Sequence, residues 1–132
     1  MITYTLGDFI DDNSIDEADS SLYVVRKSRK VLYVGQATRG IGNRWFGAGW
    51  NHMAKNFYGQ WYGNSPIGVE VSKNLPTSRN WLIDLYSVED CRETIEEYIN
   101  SDYVNINVDL AEIALIKKFK PTLNVNYVGV GR

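Results

Sequence analysis

The sequence predicts an α+β protein, because strand patterns and helix patterns both occur and lie in different parts of the chain. Two runs rich in Val, Leu and Tyr, separated by five polar residues, fall within residues 21–35 and predict a β-hairpin. Helix start and stop signals follow within residues 87–120. The chain has 132 residues, of which 44% are hydrophobic and 23% charged, as is usual for one globular domain; we assign residues 1–132 to it.

The elements are justified by their turn and cap residues. Ser87 is placed to cap a helix whose first turn is acidic, and Pro121 ends the next helix. The Gly- and aromatic-rich residues 47–66 are an insert to which the sequence assigns no secondary structure. In order, we expect a polar loop (11–20), two hairpin strands (21–25 and 31–35), a loop (36–42), a short helix (43–46), two strands (67–72 and 81–86), two helices (87–100 and 109–120) and a final strand or extended tail (123–128).

Composition limits the class of protein and its compartment. Residues 1–20 contain acid but no Lys or Arg, so they do not have the pattern of a signal or transit peptide. No apolar run reaches the roughly 18–20 residues of a membrane span. A single cysteine, Cys91, and a single histidine exclude an internal disulfide and a zinc cluster. We therefore expect a cytoplasmic protein with no membrane partner.

Charge is segregated along the chain, although the net charge is only −2. The acidic N-terminal segment, residues 1–19, has six acids and no base, whereas residues 20–69 have seven bases and no acid. Fifty consecutive residues without acid can build one positive face, which attracts phosphate whatever the overall charge. The alternative is that these charges are dispersed over the fold.

Glu112 is the one carboxylate in the apolar run Leu110–Ile116. A buried carboxylate without a partner costs several kcal/mol, so its presence needs a reason. Asp109 and Glu112 have the spacing of a capping box, and on this segment alone that interpretation is favoured. The other interpretation is a carboxylate that faces a cleft and holds a divalent cation.

The hairpin adds a second set of candidate residues. Leu22-Tyr23-Val24 and Tyr33-Val34-Gly35 place two tyrosines at related positions of paired strands, and Arg44 follows on the short helix. Together with the stretch from Glu112 to Asn124, this order and spacing resembles the GIY-YIG nuclease family. In that comparison Tyr23 and Tyr33 match the two motif tyrosines, and Gly35 the second motif's glycine. Arg44 matches the helix arginine, Glu112 the metal-binding glutamate and Asn124 the structural asparagine.

The resemblance implies a fold and an activity. The fold is an antiparallel sheet of about three strands flanked by helices, and the activity is metal-dependent hydrolysis of a DNA phosphodiester. Glu112 would hold one Mg²⁺ or Mn²⁺, Arg44 would contact a phosphate oxygen, and the tyrosines would assist the attacking water. Tyr23 is favoured over Tyr33 as the base.

The chain departs from the family after Arg44. The family usually has a His or Tyr one helical turn later, where this chain has Ala48 between two glycines. His52, or else Tyr58, is the candidate for that catalytic role.

Duplex or branched DNA is the expected partner. Aromatic residues within 45–62 could stack on bases or could form a local hydrophobic cluster, which is the favoured interpretation. The chain has no zinc finger or helix-turn-helix, so target choice would come from residues 47–108, a homodimer or a partner. The expected phosphate contacts are Arg26, Lys27, Arg29 and Lys30 at the hairpin tip, with Arg39 and Lys55.

Two other functions fit the sequence. One is a catalytically silent module that keeps the fold and uses the basic hairpin to bind nucleic acid or protein. The other is an interaction protein whose acidic segments, residues 1–19 or 89–97, contact a basic partner. Metal-dependent nicking of DNA separates a nuclease from both.

Overall fold

A computed structural model describes residues 1–12, 20–47, 51–99 and 106–124. Over these residues the fold is α+β, with a four-stranded antiparallel sheet in the order β1-β6-β2-β3 and a two-stranded sheet β4-β5. The strands are β1 (Ile2–Thr5), β2 (Leu22–Lys27), β3 (Lys30–Gln36), β4 (Met53–Lys55), β5 (Trp61–Gly63) and β6 (Leu82–Tyr86). The helices are α1 (Leu6–Asp11), α2 (Ile41–Phe46), α3 (Pro66–Lys73), α4 (Arg92–Tyr98) and α5 (Val108–Phe119), with 3₁₀ turns at Thr77–Asn80 and Glu89–Cys91.

The predicted hairpin is confirmed, and its first strand, β2, is an interior strand of the sheet. β2 pairs with β3 on one side and with β6 on the other, so both of its edges are hydrogen-bonded. Tyr23 lies opposite Gly35, and a register shift follows Val25. The sheet has four strands rather than about three, because β1 pairs with β6 at the edge.

The two faces of the sheet support separate cores. Tyr23 and Val25 face a cluster that includes Phe9 of α1 and Trp45 of α2. Leu22, Val24 and Val34 face the other cluster, which is built from α4 and α5. This alternation follows from the two-residue repeat of a strand and puts Tyr23 on the face covered by α2.

The prediction of a strand over residues 67–72 is wrong, because that segment belongs to α3. Ser65 caps the helix by accepting a bond from Gly68 N at 3.2 Å, and Pro66 occupies the first turn. Ile67 and Val71 are one helical turn apart and both are buried, so the apolar residues lie on one helical face.

The C-terminal helices begin near their predicted positions. Ser87 and Asp90 exchange side-chain-to-backbone bonds of 3.0 and 3.1 Å, which confirms a cap ahead of α4. α5 begins at Val108 and is capped by Asn107, which accepts from Leu110 N at 2.9 Å. The capping-box interpretation of Asp109 and Glu112 is therefore wrong, since another side chain caps this helix.

The free edge of β3 is covered by the residues after α5. Asn124 donates to Val34 O at 2.8 Å and accepts from Val34 N at 2.9 Å, so its amide pairs with the strand as a peptide would. Leu123 N donates to Leu32 O at 2.8 Å. Leu123 lies in a turn rather than in the predicted strand or extended tail, and residues 125–128 lie outside the described residues.

Two further segments differ from or extend the predictions. The insert forms the β4–β5 hairpin, and residues 48–50, which include Ala48, lie outside the described ranges. Of the predicted polar loop, Asp11 belongs to α1 and pairs with Arg79, while residues 13–19 are not described. Among the helices of the described residues, none is both long enough and apolar enough to cross a membrane.

Candidate active site

Tyr23 is the central side chain of the candidate site. Its side chain is fully buried, and its ring stacks on that of Tyr33 with a centroid separation of 6.1 Å. Gly35 leaves room for the phenol, because a Cβ at that position would lie 2.3 Å from the Tyr23 hydroxyl oxygen. Position 35 must therefore be a glycine, because any side chain there would occupy the space of the Tyr23 phenol.

His52 makes a short hydrogen bond through Nε2 to the Tyr23 hydroxyl. Its Nδ1 lies 2.5 Å from Ser65 Oγ, at the cap of α3. With the ring proton on Nδ1, the imidazole accepts from Tyr23 and donates to Ser65. Three side chains from β2, the start of β4 and α3 therefore form one hydrogen-bonded chain.

Both members of the Tyr23–His52 pair are neutral at physiological pH. Burial, helped by the positive charge of Arg44, lowers the pKa of His52 to about 3. Burial also raises the pKa of Tyr23 well above its usual value, and the neighbouring Tyr33 raises it further. A hydrogen bond from Arg44 acts in the opposite direction on the Tyr23 pKa but is a smaller effect.

Arg44 connects this buried pair to a cavity. Its backbone carbonyl accepts from His52 N at 3.2 Å, which fixes the segment after α2 against the helix. Arg44 is also one of the residues that line a cavity of about 420 Å³. The lining residues are Gln36, Ala37, Thr38, Arg39, Gly40, Asn43 and Arg44.

Glu112 is buried, with only 3% of its surface exposed, and it is bonded to a residue of the cavity wall. Gln36 Nε2 donates to Glu112 Oε1 at 3.0 Å and to Asp109 Oδ1 at 2.8 Å. One amide nitrogen thus bridges two carboxylates, which are three residues apart on α5. The side chain of Gln36, which also lines the cavity, links Glu112 to it.

Two carboxylates, those of Asp109 and Glu112, are the donors available here for a hard divalent cation. In residues 1–12, 20–47, 51–99 and 106–124, no group of three or more His, Cys, Asp or Glu is placed to hold a metal ion. A cation here would therefore take one or two carboxylates, and solvent and phosphate oxygens would complete its shell. Mg²⁺ commonly binds in this way. Glu112 and Asp109 are the residues that fit this requirement.

The basic residues that were predicted to contact phosphate lie in different environments. Arg26 is bonded to the buried carboxylate of Asp84 at 2.7 Å, so it is a structural ion-pair partner. Lys27 Nζ lies 5.9 Å from the ring centre of Trp81. Arg29 and Lys30 are exposed at the turn, Arg39 lines the cavity and Lys55 lies on the β4–β5 hairpin.

The fold brings together most of the side chains that the sequence singled out. Tyr23, Tyr33 and His52 are in ring contact, and Arg44 and Glu112 both act on the pKa of Tyr23. Tyr58 is instead 83% exposed at the β4–β5 tip, so His52 occupies the position beside Tyr23.

Sequence reasoning missed two polar residues of the site, Gln36 and Ser65. Ser65-Pro66 is a helix-start signal that could have located Ser65. Nothing in the local sequence marks Gln36, whose partners are more than 70 residues away along the chain.

Comparison of the chain with protein-family models, with curated proteins and with solved structures finds no match.

Proposed function

We propose that this protein is a divalent-metal-dependent DNA endonuclease with a GIY-YIG-like fold and site. The observation that carries the proposal is the convergence of Tyr23, Tyr33, Arg44, His52 and Glu112. They come from separate segments of the chain and converge on Tyr23. Its ring contacts those of Tyr33 and His52, and Arg44 and Glu112 both act on its pKa. These are the residue types that hydrolysis of an anionic phosphodiester needs.

Arg44 is suited to bind the scissile phosphate. Arg44 is one of the residues that line the cavity, and its guanidinium is permanently charged and can donate two parallel bonds to phosphate oxygens. Arg39 lines the same cavity and adds positive charge at its wall. Both side chains would stabilise the charge that develops on the phosphate oxygens during attack.

Glu112, with Asp109 beside it, would hold Mg²⁺ or Mn²⁺. A bound cation supplies Lewis-acid stabilisation of the phosphoryl and leaving oxygens. Gln36 fixes the orientation of both carboxylates through its amide nitrogen. In this proposal it is a positioning residue.

The two tyrosines have different roles. Tyr23 is fully buried, and its raised pKa disfavours the phenolate that a general base would need. Tyr33 is only half-buried, so it is the better placed to orient the attacking water. We therefore reverse the sequence-based preference: Tyr23, held by His52 and Arg44, positions Tyr33.

Nicking of supercoiled plasmid tests the proposed activity. We expect the wild-type protein to convert supercoiled to open-circular DNA with Mg²⁺ or Mn²⁺ and to stop when EDTA is added. An Arg44→Ala variant, purified in parallel, should nick about a hundredfold more slowly, the order of loss seen when one group that stabilises transition-state charge is removed.

Two outcomes would contradict the nuclease proposal. DNA binding without nicking under any divalent cation would instead identify a silent binding module. Equal nicking by the wild-type and Arg44→Ala preparations would indicate a contaminating nuclease.

A further inference from the structure

The tip of the β4–β5 hairpin exposes two adjacent aromatic side chains. Phe57 is 96% exposed and Tyr58 is 83% exposed, and their rings meet edge to face with a centroid separation of 5.6 Å. Other aromatics of the same segment are packed, including Trp45 and Trp61. The tip is therefore not part of the hydrophobic cluster that the sequence favoured for this region.

The tip is held in one conformation by its own backbone and by Asn56. The Asn56 side chain accepts from Tyr58 N at 2.9 Å and from Gln60 N at 3.0 Å. Asn56 N also donates to Gln60 O at 2.9 Å, and Gly59 adopts the positive φ of 78° that this turn needs. Both rings are thus presented on an ordered turn, which lowers the entropy lost when a ligand stacks on them.

Both ends of the hairpin are tied to the candidate active site through His52. His52 O accepts from Asn64 N at 2.9 Å after β5, and His52 N donates to Arg44 O at 3.2 Å. Phe57 follows His52 by five residues, which at about 3.3 Å per residue reach no more than about 16 Å. That length corresponds to about five stacked nucleotides, so a DNA strand in the site could reach the tip.

The charge around the tip favours a nucleic acid over a protein as its ligand. Residues 20–69, which include the whole hairpin, contain no acid. Asp11 of α1, which interacts electrostatically with Lys55, is paired with Arg79. Lys55 Nζ lies 4.8 Å from the ring centre of Trp61 on the adjoining strand, which keeps a positive charge on the hairpin. Exposed aromatic faces beside a lysine are the combination that binds unpaired bases together with their phosphates.

We propose that Phe57 and Tyr58 stack on unpaired bases of a DNA strand, so that the hairpin tip selects DNA with unpaired nucleotides beside the cleavage site. The inference rests on the proposed nuclease function for the position of the strand. Recognition by the tip itself requires no cleavage.

Metal-free binding measurements test this inference apart from catalysis. The probes are a fully paired oligonucleotide duplex and the same duplex with a three-nucleotide bulge that contains 2-aminopurine, both in EDTA. We expect the wild-type protein to bind the bulged duplex about tenfold or more tightly than the paired one, and to quench the 2-aminopurine.

Variants of the tip should remove this preference. Phe57→Ala with Tyr58→Ala should bring the bulged duplex to the affinity of the paired duplex and abolish the quenching. The Tyr58→Leu variant, in which the side chain is apolar but no longer aromatic, should retain only part of the preference for the bulged duplex. Tyr62→Ala is the matched control, because Tyr62 is a half-exposed aromatic on the same hairpin but away from the tip. Thermal melts should be unchanged, since the tip side chains are exposed.

Several results would overturn the inference. They are an unchanged preference in the double variant, an equal loss of affinity for both duplexes, an equal effect of Tyr62→Ala, or a tip-dependent dimer in sedimentation without effect on DNA. A tip-dependent bulge preference in a protein that never nicks DNA would sink the nuclease proposal alone. Metal-dependent nicking that ignores the tip variants would sink this inference alone.

Discussion

At the scale of single residues, the buried pair Tyr23–His52 sets the chemistry of the site. A histidine in this position contributes orientation rather than charge, because burial and Arg44 lower its pKa and keep it neutral. Ser65 completes the chain and fixes which ring nitrogen faces Tyr23. The neutral state of His52 also links the stability of the whole fold to pH.

His52 should make the protein less stable as the pH falls below about 6.5. Its folded-state pKa, about 3, lies below the ordinary value of 6.5, so the unfolded chain binds the proton more readily. Between these values the free energy of unfolding should fall by about 1.4 kcal/mol per pH unit on account of this residue. Urea unfolding at pH 7 and pH 5 measures the loss.

A His52→Gln variant provides the comparison for this pH effect. It should be less stable than the wild type at pH 7, and the difference between the two proteins should shrink at pH 5. A difference that stays constant across this range would show that His52 does not titrate as described.

Gly35 should tolerate no side chain. In Gly35→Ala the new Cβ would meet the Tyr23 phenol at 2.3 Å, and Tyr23 is surrounded by packed rings. We expect a loss of about 1–3 kcal/mol in the free energy of unfolding, measured by urea titration, and weaker cleavage through displacement of Tyr23.

Gly42→Ala is the matched control for this substitution. A Cβ at Gly42 would meet nothing within 4 Å, and the residue lies in α2, so alanine should be neutral or slightly stabilising. Equal effects at Gly35 and Gly42 would contradict the close approach of Tyr23.

At the scale of elements, the β2–β3 hairpin has two kinds of basic residue. One arginine forms a structural ion pair, and the other lysines and arginine are exposed. Arg26 neutralises Asp84, whose side chain is only 5% exposed and also accepts from Thr3 at 2.6 Å. The ion pair joins β2 to β6 and leaves Lys27, Arg29 and Lys30 as the proposed phosphate contacts at the tip.

Replacing Lys27, Arg29 and Lys30 with Gln should weaken binding to all DNA sequences alike. The slope of log K against log salt should flatten by about 0.9 for each phosphate that the variant no longer neutralises. Arg26→Gln should instead lower the free energy of unfolding by about 3 kcal/mol, since it leaves a buried carboxylate unpaired. An unchanged salt slope in the triple variant would remove this tip from the DNA interface.

At the scale of the whole molecule, the sequence predicted the elements whose signals are local. The hairpin, β6 and the helix after Ser87 have alternation or caps that can be read within ten residues. Residues 67–72 were assigned wrongly because a short apolar run fits a strand and a helix equally, and the Ser65-Pro66 start signal decides between them.

Other features depend on partners distant in sequence. β1 is recognisable only by its pairing with β6, about 80 residues away. Gln36 bridges Asp109 and Glu112 from the far end of the chain, and Asn107 rather than Asp109 caps α5. That Tyr23, Tyr33, Arg44 and Glu112 lie near one another was expected only from the family resemblance, because no local pattern carries such long-range information.

The Glu112→Gln substitution tests the central claim most directly. Glutamine keeps the shape and the hydrogen-bonding oxygen of Glu112 but removes the charge that would hold the cation. Glu93→Gln, on the exposed face of α4, is the matched control, and thermal melts of all three proteins establish that each is folded.

The rate of plasmid nicking in Mg²⁺ is the measurement. Our account predicts that Glu112→Gln nicks at least a hundredfold more slowly than the wild type, about the loss expected for a metal-binding carboxylate, while Glu93→Gln nicks at the wild-type rate. Nicking by Glu112→Gln at the wild-type rate, or wild-type nicking that persists in EDTA, would contradict the metal site and the mechanism built on it.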